Sequence, residues 1–357
     1  MSDHLELQKA RSTAGWIRQG RRALAAGAVE RLQGQREELV TGYGQRGFSE
    51  LVTDTEIRLE YLISSLRIGS PELFADHVAW LRASFAARGL SDDFLQLHLD
   101  AIEAELRSQL PDGTNAPVLA IFGPARRALS EAETEPPSLL DDQNPHVRVA
   151  REYLLAVLEG RRRDAETMVL ELFEAGVSIG EIERFVVGAA QRELGRMWQV
   201  GEIHPAEEHA ATRIAEGIGV LLRSRVKAKA PNGKSVLLAS VGGNDHDLAI
   251  RILADRLELE GWHAICLGAD SPADSIAQAA DDLSVDLVAL AATTALHVEP
   301  AEAVVRALRA MPGGDHRPIL IGGRPFEVVP DLHKQIGADE TADTLEAALE
   351  TATRLVS

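Results

Sequence analysis

The chain has 357 residues, 45% hydrophobic and 26% charged, enough for two or three domains with real cores. Its formal net charge of −18 argues against direct DNA binding, because phosphate backbones repel such a surface; Arg161-Arg162-Arg163, the one basic cluster, is flanked by acids and reads as a solvated helix face. No apolar run is long enough for a membrane span, the polar start MSDHLELQKARSTAG lacks the apolar core of a secretory signal, and the single cysteine excludes an internal disulfide and a Cys-rich zinc site. A cytoplasmic protein is expected.

Residues 15 to about 130 read as helices, with apolar positions at helical spacing in IRLEYLISSLR and ELFADHVAWLRASFAARG. Ser70-Pro71-Glu72 marks a helix start, Gly89 a stop, and Ser91-Asp92-Asp93 the next start. Nothing from Gly15 to Ser130 reads as a strand. Residues 131–145, rich in Pro, Asp and Glu, form a linker. From His146 to Arg225 a second helical block follows, with Gly160, Gly176, Gly180 and Gly201 punctuating four helices of a bundle.

KAKAPNGK (227–234) is a second linker, and after it the period changes. SVLLASV, HAICLG, VDLVALAA and PILIGG are short, nearly continuous apolar runs, as in strands buried on both faces. Cys266, in the second run, is expected to be a buried, inert thiol. Helical stretches alternate with these runs, which predicts a doubly wound parallel sheet. The fold class is therefore α and α/β, with a helical unit over 1–135, a four-helix unit over 144–228 and a Rossmann-like unit over 234–357. Ligands of such sheets bind in the loops beyond the carboxyl ends of strands, where His246, Thr293, Thr294 and Gly322-Gly323 fall.

The first of these loops reads Gly242-Gly243-Asn244-Asp245-His246-Asp247-Leu248-Ala249. A lone histidine here is ordinarily a helix cap. Three neighbours favour a metal ligand instead. Asn244, two residues before, is placed to accept from His246 Nδ1–H and direct Nε2 outward. Gly242 and Gly243 permit close backbone approach. The small residues Ala289 to Ala292 and Gly322-Gly323 can line a narrow slot.

This segment resembles the cobalamin-binding domain of methionine synthase, corrinoid methyl carriers and B12-dependent mutases. That family carries Asp-x-His-x-x-Gly after the first strand, Ser-x-Leu after the third and Gly-Gly after the fourth. The resemblance implies that His246 ligates cobalt from below and that the slot takes the displaced nucleotide tail. The contacts it implies are Asn244, Asp245, Asp247, Leu248, Ala249, Ala291, Thr293, Thr294, Gly322 and Gly323. The departures are Asn244 for Asp, Ala249 for Gly, and Ala291-Ala292-Thr293 for Ser-x-Leu, with Thr293 or Thr294 replacing the serine hydroxyl.

The stretch GAAQRELGRMWQVGEIHPAEEHAATRIAEGIGVLL resembles the helical cap of cobalamin-dependent light-sensing regulators of the carotenoid-repressor type. Trp198, Glu208 and His209 meet their Trp-x9-Glu-His pattern. By that resemblance the tryptophan packs on an adenosyl group above cobalt, with the glutamate and histidine beside it. The family's histidine after the tryptophan is Gln199 here, so His204 or His209 would stand in as a later upper ligand. Taken alone, Trp198 reads equally as a core residue and Glu208-His209 as a surface pair.

Those regulators begin with a winged-helix DNA reader, whereas this chain begins with an acidic helical unit. The whole then resembles the photocobilins, in which a globin-like helical domain binding a bilin precedes the cobalamin module. His77 sits on an apolar helix near Phe74, Trp80 and Phe85, where a satisfied core histidine is the ordinary reading and a bilin contact the functional one. Arg58, Tyr61, Arg82 and Arg88 are further candidates, arginine suiting propionates through paired hydrogen bonds. With no cysteine in this unit, biliverdin or another bilin must be held noncovalently. Heme on His77 or His98 is the alternative.

The expected function is thus a cytoplasmic photoreceptor, a homodimer, binding adenosylcobalamin and signalling to a downstream effector protein without touching DNA or membrane. The rivals are a corrinoid methyl carrier of a methyltransferase system and a non-photochemical cobalamin or heme sensor. No acid–base pair or nucleophile constellation marks an enzyme, and Asp281-Asp282 reads as a solvated pair.

Overall fold

Helices fill the first part of the chain, as the 3.6-residue periodicity predicts. The computed structural model describes residues 2–111 and 114–357. It opens with α1 (Ser2–Gln35), α2 (Glu37–Thr41), α3 (Phe48–Ile68), α4 (Pro71–Ala87), α5 (Asp92–Gln109) and α6 (Asn115–Glu131). Helix α1 reaches back to Ser2, ahead of the expected start near Gly15. The local signals act as read. Pro71 occupies the first turn of α4, Gly89 follows its end at φ 72°, and the Ser91 hydroxyl accepts the Phe94 N–H at the head of α5. Phe74, Phe94 and Phe122 interleave with Ile17, Leu32, Leu59 and Leu62 in the core.

The cap comprises α7 (Val147–Leu158), α8 (Arg162–Glu174), α9 (Ile179–Ile182), α10 (Gly188–Gln199) and α11 (Pro205–Arg223). A π turn at Glu183–Val187 joins α9 to α10 in one continuous rod, so four rods result. Gly180 does not punctuate. It lies inside α9 and makes room for Arg256, whose guanidinium would stand 2.6 Å from a Cβ there.

The third unit is a five-stranded parallel sheet in the order β2-β1-β3-β4-β5. Its strands are β1 (Ser235–Val241), β2 (His263–Ser271), β3 (Leu287–Ala291), β4 (Ile319–Gly322) and β5 (Glu340–Ala342). The helices between and after them are α12 (Leu248–Leu259), α13 (Ala273–Asp282), α14 (Val298–Ala310), α15 (Arg324–Val328), α16 (Leu332–Ile336) and α17 (Leu345–Leu355). Helices α13 and α14 cover one face and α12 and α17 the other. β1 and β3 are buried along their length, as expected. β2 is an edge strand, and Cys266 and Leu267 reach solvent, which corrects the expected buried thiol.

Ile68 and Leu73 of the first unit join the core beneath α13 and α14. Arg18 and Arg67 pair with Glu299 at 2.8 and 3.2 Å, and Arg324 pairs with Asp76 at 2.7 Å. The helical unit therefore leans on the carboxyl end of β3 and β4. Among the described residues no helix is long and apolar enough to cross a membrane.

Candidate functional site

The sheet order puts the first loop and the loop after β3 on either side of the switch point between β1 and β3, the usual ligand crevice of such sheets. Register does the rest. Ser240 pairs with Ala291, and Ala291 with Gly322, which brings the three loop ends into one row.

The loop holding His246 is fastened by its backbone. The His246 N–H donates to Asn244 Oδ1 at 3.2 Å, and its carbonyl accepts from the buried Ser240 hydroxyl at 2.8 Å. Asn244 is wholly buried, donates to the Ala291 carbonyl at 3.1 Å and accepts from the Thr293 hydroxyl at 3.0 Å. Its amide is thereby committed to backbone and hydroxyl, which corrects the expected bond to the imidazole Nδ1–H. The His246 ring itself is exposed, as are Asp245 and Ala249, while Leu248 is half-buried. Asp247 is buried and holds Arg251 at 2.6 Å.

Three residues that sequence reasoning missed complete the frame. Besides Ser240, Asp270 sits at the end of β2 with φ 45°, a strained left-handed conformation for a residue with a side chain. Its carboxylate accepts the Gly243 N–H at 2.7 Å and its own N–H donates to the Asn244 carbonyl at 3.0 Å. His297 accepts the Thr294 N–H on Nδ1 at 3.1 Å, which makes Nε2 the protonated nitrogen and the donor to the Gly243 carbonyl, also at 3.1 Å. Burial holds the His297 pKa below its ordinary value and so keeps Nδ1 free to accept. Only strand-end position hinted at these residues.

Gly323 lies at φ 123°, and a Cβ there would stand 2.0 Å from the Ala292 carbonyl oxygen. The glycine pair thus lets β4 approach the β3 loop more closely than any side chain allows, as a narrow slot requires.

On the cap, Trp198 is 44% exposed at the end of α10. Gln191 lies two turns earlier on the same face, and its Nε2 is buried without a partner. Facing it on α11, the Thr212 hydroxyl lies 3.2 Å from Gln191 Oε1 and 2.8 Å from Glu208 Oε1. Glu208 also holds the exposed His209 through Nδ1 at 3.1 Å. His204 is the N-cap residue of α11. The face therefore offers an indole and a carboxylate, with an unpartnered amide donor buried behind them, groups that suit a bulky ligand bearing hydroxyls.

The helical unit buries a second constellation. Arg58 is 3% exposed, its guanidinium lies over the Phe85 ring at 5.2 Å, and Nη2 donates to the Tyr43 hydroxyl at 3.4 Å, while Nε and Nη1 have no hydrogen-bond partner among the described residues. His98 Nε2 lies 2.9 Å from Thr55 Oγ1, whose own hydrogen goes to the Leu51 carbonyl, so Nε2 donates and Nδ1 is left as an unfilled acceptor. His77 stacks flat on Tyr61 at 3.6 Å, its Nε2 unpartnered, and burial with Arg58 nearby pushes its pKa down to about 3. Of these orphans the Arg58 guanidinium suits an anion, and the open His98 Nδ1 suits a donor. Arg82 does not join them. It donates to the Ser130 and Ala132 carbonyls and ties α4 to the end of α6. Arg88 binds the Ser84 side chain on its own helix.

Two stretches of the chain, residues 149–221 and 234–351, each match a family described as B12 binding domain. The chain carries a B12-binding module. The cobalamin module takes in the cap and the sheet unit, and neither match reaches the first 148 residues. A corrinoid protein of Desulfitobacterium hafniense is 26% identical over 223 residues, 61% of this chain and 98% of that protein. The HTH-type transcriptional repressor CarA of Myxococcus xanthus is 28% identical over 200 residues, 55% of this chain and 64% of that protein. The monomethylamine corrinoid protein of Methanosarcina barkeri shares the fold at a TM-score of 0.53 and 17% identity, over 59% of this chain and 99% of that one. The cofactor is a corrinoid, and the loop fits it: an exposed imidazole on a fixed backbone stands beside a slot that only glycine permits.

Proposed function

We propose that the protein is a light sensor holding adenosylcobalamin between the cap and the sheet unit, with a noncovalent bilin such as biliverdin in the helical unit. Cobalamin supplies a cobalt–carbon bond that light breaks. The observation that carries this reading is the ligand face of the cap, where Trp198, Gln191 and Glu208 present shape and hydrogen bonds for a large upper group. A protein passing methyl groups to an enzyme needs that face open.

In this reading His246 would offer its imidazole to the cobalt, its loop held by Ser240, Asn244, Asp270 and His297. Thr293, Thr294 and Gly322-Gly323 take the tail, and Ala291, Asp245, Asp247, Leu248 and Ala249 shape the rim. Trp198 would repack on loss of the upper group, and the cap would shift between two arrangements. Arg58 and His77 serve a bilin propionate and ring nitrogen. Output passes through a change in a homodimer or to an effector protein.

A second reading has its own support, since corrinoid proteins are matched over almost their full length. It makes the chain a methyl carrier. Absorption spectra of the protein with adenosylcobalamin and biliverdin, dark and then lit with green or red light, separate the two. Faster change than in free cofactor, in both colours, is expected. Cobalamin bound but changing no faster than when free overturns the sensor and leaves the carrier. In His246→Ala the histidine-ligated bands should vanish, and an unchanged spectrum removes His246 from its role.

A further inference from the structure

Helix α4 of the helical unit touches both halves of the cobalamin module. Asp76 accepts from Arg324 Nη2 at 2.7 Å, directly after Gly322-Gly323 at the end of β4. One turn further on, Trp80 meets Trp198 of the cap, with ring centroids 5.9 Å apart and planes at 36°. The Gln199 amide donates to the Trp80 carbonyl at 3.0 Å. Four helical residues rise about 6 Å. A single rigid turn thus spans from the lobe that carries His246 to the cap that carries Trp198.

Helix α3 backs this strut. Tyr61 stacks on His77 and packs against the core of the sheet unit. Yet the two indoles stay open at the seam, Trp80 at 36% exposure and Trp198 at 44%. A paired aromatic surface left uncovered between domains is a surface shaped to be covered. Gln199, spent on Trp80, is not placed to replace a histidine at the metal.

We infer that Trp80 is a specificity-determining residue of the cobalamin site: with Trp198 it forms the wall that receives a bulky aromatic upper ligand, across a gap whose width α4 sets. The inference rests on the reading of Trp198 as the cover of the upper face. Stacking an adenine-sized ring on an indole is worth roughly tenfold to hundredfold in affinity. A small upper ligand such as hydroxide gains nothing from it, so Trp80 controls the preference between cobalamins rather than affinity for all of them.

The test uses the full chain free of cofactor, titrated in darkness with adenosylcobalamin and with hydroxocobalamin, as wild type, Trp80→Ala, Trp80→Phe and Trp198→Ala. Trp80→Ala should weaken adenosylcobalamin about tenfold or more, leave hydroxocobalamin within about twofold, and be largely rescued by Phe. In the cofactor-free protein, near-ultraviolet circular dichroism should show an indole couplet that either alanine variant removes. Unchanged preference in Trp80→Ala, equal weakening of both cobalamins, or a missing couplet overturns the inference. If Trp198→Ala alone changes the preference, the upper-face reading stands and only the role of Trp80 falls. If neither variant changes it, that reading falls as well.

Discussion

Replacing Glu183 by Gln should stabilise the protein above neutral pH and do almost nothing in acid. Glu183 opens the π turn between α9 and α10 and is buried, with Arg256 3.6 Å away and Asp255, Glu346 and Arg184 around it. Burial raises its pKa from 4.5 to about 7, Arg256 offsetting part of that and the two acids adding to it. The folded state thus holds a proton that the unfolded state has released. Stability is undiminished below pH 4.5, falls as pH rises towards 7, and stays reduced above it. At about 1.4 kcal/mol per pH unit the full cost is about 3 kcal/mol. Glutamine keeps the shape of the protonated acid and removes that cost. Urea unfolding of both proteins at pH 5 and pH 8, followed by helical circular dichroism, reads the difference. A gain near 3 kcal/mol at pH 8 and below about 1 kcal/mol at pH 5 is expected. An equal effect at both pH values would refute the argument.

Gly323→Ala forces φ 123° on a residue with a side chain and drives its Cβ against the Ala292 carbonyl; a loss of about 2–4 kcal/mol is expected, and an unaltered melting temperature would contradict it. His77, held neutral with its pKa at about 3, makes the protein lose about 3 kcal/mol between pH 7 and pH 4, because the unfolded histidine takes up a proton from pH 6.5 downward. His77→Phe should flatten that acid limb, and acid stability parallel to wild type would count against the burial described. Cys266, exposed on the edge strand, should titrate with a thiol reagent in the folded protein, more slowly than free cysteine because its pKa is raised; a thiol that reacts only in denaturant would place it inside.

The elements most legible in the sequence were those whose pattern is local. Pro71, Gly89 and Ser91 fix their boundaries through their own backbone preferences, and four apolar runs became four strands. The three-residue β5 carries too little pattern to be read, and the edge position of β2 depends on strand order, which no single segment encodes. In the site, His246 and Gly323 stood out because metal ligation and close backbone approach each restrict residue type. Ser240, Asp270, His297 and Gln191 did not. Their roles arise from contacts across loops distant in sequence, and each residue type is common elsewhere on the chain. Asn244 was picked for the right loop and the wrong bond, because sequence proximity to His246 does not say whether an amide meets ring or main chain.

The fastening of that loop has a consequence for what can be built on it. Ser240, Asn244, Asp270 and His297 grip main-chain atoms and leave the side chain at 246 untouched. The fold therefore fixes where the side chain at 246 begins and leaves its chemistry open, so that a different side chain there would start from the same backbone position. In the reading proposed above, residue 246 could therefore be exchanged to change what it offers a bound corrinoid without rebuilding the loop that carries it.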